Sequence, residues 1–231
     1  MITPMGTAQK KTVAVIGLGY VGLPLAVRAV ERGYDVIGFD THAEKVEVLK
    51  KKKSPIEDQY LIDNIPKFPF EATTDASRLA DADIVLICVP TPVDEMYYPD
   101  LEPVISAATV SAEHLKKGAL VVLESTVNPG VSEEVIRPIF EEHGHELGKG
   151  VFTAHCPERI SPGDETWNVT NSPRDVGALD QKGLKMALEF YRAIVDGEIR
   201  PMKSIREAEA VKVVENSFRD INIAFVNELA R

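Results

Sequence analysis

The stretch TVAVIGLGYVGLPLAVRAVERGYDVIGFD, residues 12–40, decides how the rest of the chain is read. It opens with an apolar run (Val13, Ala14, Val15, Ile16) and passes through a glycine turn (Gly17, Gly19, Gly22). It then continues as an amphipathic segment and closes on a second apolar run ending at Asp40. That order is strand, turn, helix, strand. In a turn so placed, the first glycine permits the tight bend, the second lets the backbone approach a pyrophosphate, and the third lets helix and strand pack closely. The phosphates would rest on free N–H groups at the helix N-terminus. Tyr20 and Val21 lie inside the turn and count with Gly17, Gly19 and Gly22 as expected cofactor contacts. An acid closing the next strand, about 20 residues on, completes the fingerprint, and Asp40 stands there. A carboxylate accepts from both ribose hydroxyls and repels a 2′-phosphate, so the expected cofactor is NAD rather than NADP. The bland alternative is a glycine-rich turn of an α/β protein that binds no cofactor.

Composition sets the outer bounds. With 231 residues the chain can bury a real core and hold one large domain or two small ones. A hydrophobic fraction of 44% beside 27% charged residues is that of a soluble globular protein, and no apolar run approaches the ~20 residues that span a bilayer. Met1 to Lys11 has no apolar core of a signal peptide and reads as a loose leader, so a cytoplasmic location without a membrane is expected. The net charge of −10 argues against nucleic acid as a partner. Cys88 and Cys156 lack CxxC spacing and suggest neither a disulfide framework nor a metal. Cys88, inside an apolar run, reads as a small core residue. His143, His145, His155 and Cys156 show no ligand spacing on a convincing element, so no metal is expected.

Beyond Asp40, Thr41 and Glu44 form a T-x-x-E capping box that predicts a helix to about Lys52. Lys45 then falls one turn in, near the adenosine ribose. The lysines at 50–53 read as a solvated helix end. Ser54 to Pro69 reads as an irregular connection with about one helical turn. Phe70 to Thr73 is a short strand, Asp75 a helix cap and Asp83 to Val89 a buried strand. Its loop carries Pro90, Thr91 and Pro92. Asp100 caps a helix to about Lys117, Gly118 ends it, and Ala119 to Leu123 is another apolar strand. A Ser-Thr loop, a helix over about Val131 to His143 and the strand Val151 to His155 follow. Asp164 to Pro173 is polar and turn-rich, with a short segment at Val176 after it. The last pieces are a helix from about Asp180 to Val195, a short strand at Ile199 to Met202, and a helix from about Ile205 onward. Near-continuous apolar strands alternating with helices imply an α/β, doubly wound parallel sheet of Rossmann type, followed by the start of a long helix. The expected boundary falls near residue 200, giving a domain over 1–200 and the start of a second over 201–231.

Ligand groups of such a sheet lie at the carboxyl ends of its strands, which points to loops beginning at Pro90, Ser125 and Cys156. Ser125 and Thr126 offer hydroxyls to a nicotinamide ribose or a substrate oxygen, against the alternative of an ordinary turn. Glu158 can act as a general base or orient a water, against the alternative of a surface salt bridge. Lys212 and Asn216, four apart on the last helix, share a face and can bind an oxyanion; a solvated polar face is the plainer reading. Roughly opposite them, Val214, Phe218, Ile221, Phe225 and Leu229 form an apolar stripe, with Ile223 and Val226 on nearly the other side. Nothing caps this helix, so it is expected to continue and to need partners.

Five segments together resemble the UDP-glucose/GDP-mannose dehydrogenase family: VIGLGYVGLPLA at 15–26, VPTP at 89–92, ESTVNPG at 124–130, CPERISPG at 156–163 and AEAVKVVENSFRDINIAFVNELA at 208–230. The resemblance implies two NAD-dependent oxidations of a sugar C6 alcohol to a carboxylate, through a thiohemiacetal and a thioester on a cysteine. It matches Thr126 to the threonine near the reacting carbon and Glu158 to the glutamate that handles protons with a water. It matches Lys212 and Asn216 to the pair stabilising the C6 oxyanion. Asp40 and Lys45 match adenosine-ribose contacts, and Val89, Pro90 and Thr91 the loop lining the cofactor. PERISPG, with Pro162 where a second acid stands in the glucose and mannose branches, resembles the branch acting on UDP-N-acetylhexosamines. The family's nucleophilic cysteine belongs to a C-terminal domain, and neither Cys88 nor Cys156 has its glycine-rich setting. The implied partners are a UDP-sugar and a second copy of the chain, packed through the last helix. A β-hydroxyacid dehydrogenase, or a module that binds NAD without turnover, are the rival readings.

Overall fold

The computed structural model describes residues 10–158 and 168–231. The leader up to residue 9, Pro162 and the first four residues of the turn-rich stretch, 164–167, lie outside the described residues. The strands are β1 (Thr12–Ile16), β2 (Asp35–Phe39), β3 (Glu71–Thr73), β4 (Ile84–Ile87), β5 (Leu120–Leu123), β6 (Phe152–His155), β7 (Arg174–Ala178) and β8 (Ile199–Pro201). They form one sheet in the order β3-β2-β1-β4-β5-β6-β7-β8. The helices are α1 (Gly22–Glu31), α2 (Ala43–Lys50), α3 (Gln59–Asn64), α4 (Glu102–His114), α5 (Arg137–Glu142), α6 (Gln181–Ile194) and α7 (Ile205–Leu229).

The order of the first six strands is that of a Rossmann-type sheet, with the crossover direction reversing between β1 and β4. Period-two alternation along β1 divides its side chains between two cores. Val13 and Val15 join α1 and α6 on one face, while Ala14 and Ile16 join α4 and α5 on the other. Both faces are thus covered, which is why the central strands read as unbroken apolar runs.

The sheet is not parallel throughout. β1 to β6 pair in parallel, but β7 runs antiparallel to β6, with His155 opposite Gly177 and Ala154 opposite Ala178. Arg174, the first residue of β7, therefore lies at the rim where the parallel strands end. β8 pairs with β7 in parallel.

Local chemistry moved several boundaries. The Thr41 capping box does not form: His42 is the N-cap of α2 and no side chain caps it. The helix starts one residue later than the box requires, and the His42 amide donates to Asp40 Oδ1 at 2.9 Å. Asp100 does hold the start of α4, accepting from the Glu102 amide at 2.9 Å, and Gly118 turns the chain at φ +89°. The helix expected from Val131 begins as a wide π turn, Ser132–Ile136, before α5. Pro138 has no N–H to return to residue 134, and the wider turn carries the chain past that gap. Ser204 caps α7, accepting from the Glu207 amide at 3.2 Å.

Candidate functional site

The three glycines of the turn do three different things. Gly17 sits at φ +90°, and a Cβ there would lie 2.6 Å from the Cys88 carbonyl oxygen. Gly22 is the packing glycine: its Cβ would fall 2.0 Å from the Gly17 oxygen and 3.0 Å from Val15 Cγ1. Gly19 has no atom within 4 Å of the same construction, so its bare side faces open space. α1 begins just beyond it without a side-chain cap; the Leu23 amide returns to the Gly19 carbonyl at 3.0 Å and Pro24 has no N–H, so the amides open to a ligand are those of the turn itself.

That open space is a cleft of about 610 Å³. Gly17, Gly19, Tyr20 and Val21 form its floor, and Asp40 and Lys45 one end. Val89 and Pro90 stand opposite. Gly22 and Thr91 do not line it: Gly22 lies behind the turn against β1, and Thr91 is one residue past the wall. Sequence reasoning missed the far wall, which α4 supplies through Pro103, Ser106, Ala107 and Val110. The only signal was the small, weakly polar face those residues share.

Asp40 is 5% exposed and holds the cleft together. Its Oδ2 accepts from the Leu18 amide at 2.9 Å and from Lys45 Nζ at 2.6 Å, while Oδ1 takes the His42 amide. Burial opposes ionisation, but Lys45 and the two amides outweigh it and keep the carboxyl below its usual range. A ribose hydroxyl donating to Asp40 would share an acceptor that already ties the glycine turn to α2. The fit to a dinucleotide rests on this set: a turn whose glycines bare the backbone, a helix start without a side-chain cap, and an ionised acid beside an apolar wall.

A second group lies along the rim toward β7. Glu124 and Ser125 follow β5, Glu158 follows β6, and all three are at most 6% exposed. Arg174, wholly buried, places Nη1 2.6 Å from Glu158 Oε2 and 3.4 Å from Glu124 Oε2. The Tyr191 hydroxyl, from α6, donates to Glu124 Oε1. Burial raises the Glu124 carboxyl to about 7, with Arg174 pulling it down and Glu158 pushing it up. The salt bridge that Glu158 makes is therefore an interior one, not the surface pair weighed above. The reversal of β7 is what delivers Arg174 to it.

Ser125 is committed elsewhere: its hydroxyl donates to the Val89 carbonyl at 2.7 Å, tying the β5 loop to the β4 loop. Thr126, next along, is half-buried, and neither residue lines the cleft. The Cys88 and Cys156 thiols are free and buried, and burial pushes both well up, so neither is a thiolate. His155 is held neutral by burial, its pKa lowered to about 3. Among the described residues no group of three or more metal-ligating side chains gathers.

On α7, Lys212 is half-buried and Asn216 exposed, one turn apart. Glu209, one turn before Lys212 and wholly buried, accepts from the Gly130 amide at 2.6 Å and the Ser132 amide at 2.8 Å. The helix bearing Lys212 and Asn216 is so joined to the loop bearing Thr126. Further along, Phe218 and Leu229 are each 71% exposed, with Val214, Ile221, Ile223, Phe225 and Val226 exposed around them.

Residues 11–195 match the UDP-glucose/GDP-mannose dehydrogenase family, NAD binding domain, and residues 206–231 match its central domain. Among curated relatives, a UDP-N-acetyl-D-mannosamine dehydrogenase of Methanococcus maripaludis is 37% identical over 231 residues, covering 98% of this chain and 52% of its own. A UDP-N-acetyl-D-glucosamine 6-dehydrogenase of Pseudomonas aeruginosa is 37% identical over 221 residues, covering 94% and 52%. The solved UDP-D-ManNAc dehydrogenase of Pyrococcus horikoshii superposes with a TM-score of 0.89 at 33% identity, over 94% of this chain and 52% of that one. The chain spans about half the length of the curated relatives it matches. Its cofactor is NAD.

Proposed function

The chain belongs to the UDP-glucose/GDP-mannose dehydrogenase family, and from that premise we propose that it is the NAD-binding part of an enzyme oxidising the C6 alcohol of a UDP-N-acetylhexosamine to the uronic acid. The observation that carries this reading is the joining of a dinucleotide cleft at β1 to the Thr126 loop, the Glu158–Arg174 pair and the base of α7 along one rim. The names of the most similar relatives support the N-acetylhexosamine class.

Gly17, Gly19, Tyr20 and Val21 bind the phosphates through backbone, and Asp40 with Lys45 holds the adenosine ribose. Bound NAD supplies the hydride acceptor. Glu158, paired with Arg174, passes a proton through a water at C6. Lys212 and Asn216 face the developing oxyanion, where preorganised donors act most strongly in a site that excludes water. Thr126 borders the reacting carbon, and Ser125 holds its loop to the β4 loop beside the cofactor. Both cysteines of the chain are buried neutral thiols, so the acyl-carrying cysteine is assigned to the remaining half of the gene product. We place the domain boundary near residue 200, supported by the change from sheet to a single long helix after Pro201.

The exposed apolar stripe of α7 supports pairing of two copies through that helix. No described helix is long and apolar enough to cross a membrane, and a cytoplasmic place in polysaccharide precursor synthesis fits the reading. The test is a substrate panel on the intact gene product with NADH counted per sugar. Two NADH per UDP-N-acetylhexosamine are expected; turnover of a small 3-hydroxy acid instead would replace this reading with the hydroxyacid one. The 231-residue chain alone should bind NAD and complete no oxidation.

A further inference from the structure

We propose that Glu209 is a positioning residue that fixes the rotation and register of α7, and so sets Lys212 and Asn216 against the Thr126 loop. This rests on the catalytic reading of Lys212 given above. Glu209 is wholly buried, and its two oxygens meet the Gly130 and Ser132 amides at 2.6 and 2.8 Å. These are charge-assisted bonds at the start of a helical run, where a carboxylate also meets the favourable end of the dipole.

Adhesion alone does not call for such a group. α7 is already docked by Ile205 and Ala208, buried against Gly177, where a Cβ would lie 2.5 Å from the Ser204 carbonyl oxygen. Apolar contact is non-directional and resists small sliding or turning less than a directional bond does. A two-point bond from one side chain resists both. Each residue of slip turns a helix by about 100° and moves it about 1.5 Å. Lys212 lies three positions beyond Glu209 and Asn216 four beyond that, so they inherit whatever rotation the clamp sets.

The other end of the clamp is equally specific. Gly130 sits at φ +109°, and a Cβ there would lie 3.0 Å from Glu134 Oε1. The loop runs back four residues to Thr126. From outside, Arg206 on the first turn of α7 pairs with Glu133 and, at 2.8 Å, with Glu134. Two contacts from one helix thus grip one turn, the inner of them buried.

The test uses Glu209→Gln and Glu209→Ala in the intact gene product, with Lys212→Ala as reference, and amide exchange in the 231-residue chain. Gln keeps one acceptor and turns an NH2 toward the other amide, so it breaks the clamp with little change of volume. In Glu209→Gln kcat should fall by about tenfold or more, with KM for both substrates held within about twofold, the pattern of a lost transition-state contact. Exchange at Gly130 and Ser132 should quicken by about tenfold, while the amides of β1 to β6 keep their protection. Unchanged exchange at those two amides would overturn the clamp. Unchanged kcat beside a disabled Lys212→Ala would overturn the positioning role alone. Unchanged kcat in Lys212→Ala would overturn the catalytic reading of that lysine, and this proposal with it. Loss of NAD binding together with kcat in both Glu209 variants would reduce Glu209 to general scaffolding.

Discussion

The two ends of the candidate site are built from opposite materials. At β1 and α1 the shape is made of backbone: three glycines, a helix start without a side-chain cap and one acid that accepts from two amides. From β5 to α7 it is made of buried charge, with Glu124, Glu158, Arg174 and Glu209 all at most 6% exposed. Backbone shape serves a ligand that brings its own charge. Interior charge serves groups whose protonation and direction must be held, and it leaves little tolerance for the loss of a partner.

That contrast can be broken most sharply at Arg174. Arg174→Met leaves Glu124 and Glu158 buried without their cation, and breaking such a pair costs about 3–5 kcal/mol; urea unfolding near neutral pH measures it. A loss below about 1 kcal/mol would show that the interior charges are no more exacting than surface ones. The glycine end predicts a split. Gly22→Ala must move the Gly17 carbonyl or β1, an overpacking cost of about 1–3 kcal/mol, whereas Gly19→Ala should fold as the parent does and lose NAD affinity only. Equal stability of the two variants would remove the distinction between packing and binding glycines. Asp40→Ala should weaken NAD by about tenfold, close to 1.4 kcal/mol, read by calorimetric titration; unchanged affinity would move the ribose elsewhere.

The smallest expected effect concerns pH. Burial raises Glu124 from its ordinary 4.5 to about 7, so the folded state holds that proton more tightly than the unfolded chain. The resulting stability is fully present below 4.5 and is lost as pH rises through about 7. Against Glu124→Gln, the parent's urea midpoint should therefore drift downward between pH 5 and 8. An upward drift would mean that Arg174 dominates and Glu124 is ionised throughout.

The same contrast explains what could be read from sequence. The glycine turn was legible because the 2.6 Å approach at Gly17 and the 2.0 Å approach at Gly22 each leave no room for a Cβ. β4 and β5 were legible because strands covered on both faces are apolar along their whole length. The charged end was not. Arg174, Tyr191 and Glu124 lie far apart in the chain, and only the reversal of β7, which no local pattern in RDVGA announces, brings the first to the last. Glu209 looked like any acid on a helix near its start. Glu158 and Lys212 stand out by position alone, at a strand end and on a helix face, but only resemblance gives either of them an expected role. The α4 wall of the cleft was missed because Ser106 and Ala107 are ordinary helix residues until a ligand is imagined beside them.

The bare stripe on α7 also makes this chain a charged colloid with a sticky seam. Its net charge of −10 repels other copies, and the apolar residues draw them together. The repulsion reaches about 30 Å in 0.01 M salt but only about 3 Å in 1 M. Sulfate adds to the apolar side of the balance by exclusion from the surface. Near pH 5.1, where the charge vanishes, the seam acts unopposed. Any pairing of copies through this seam should therefore follow the buffer as much as the concentration.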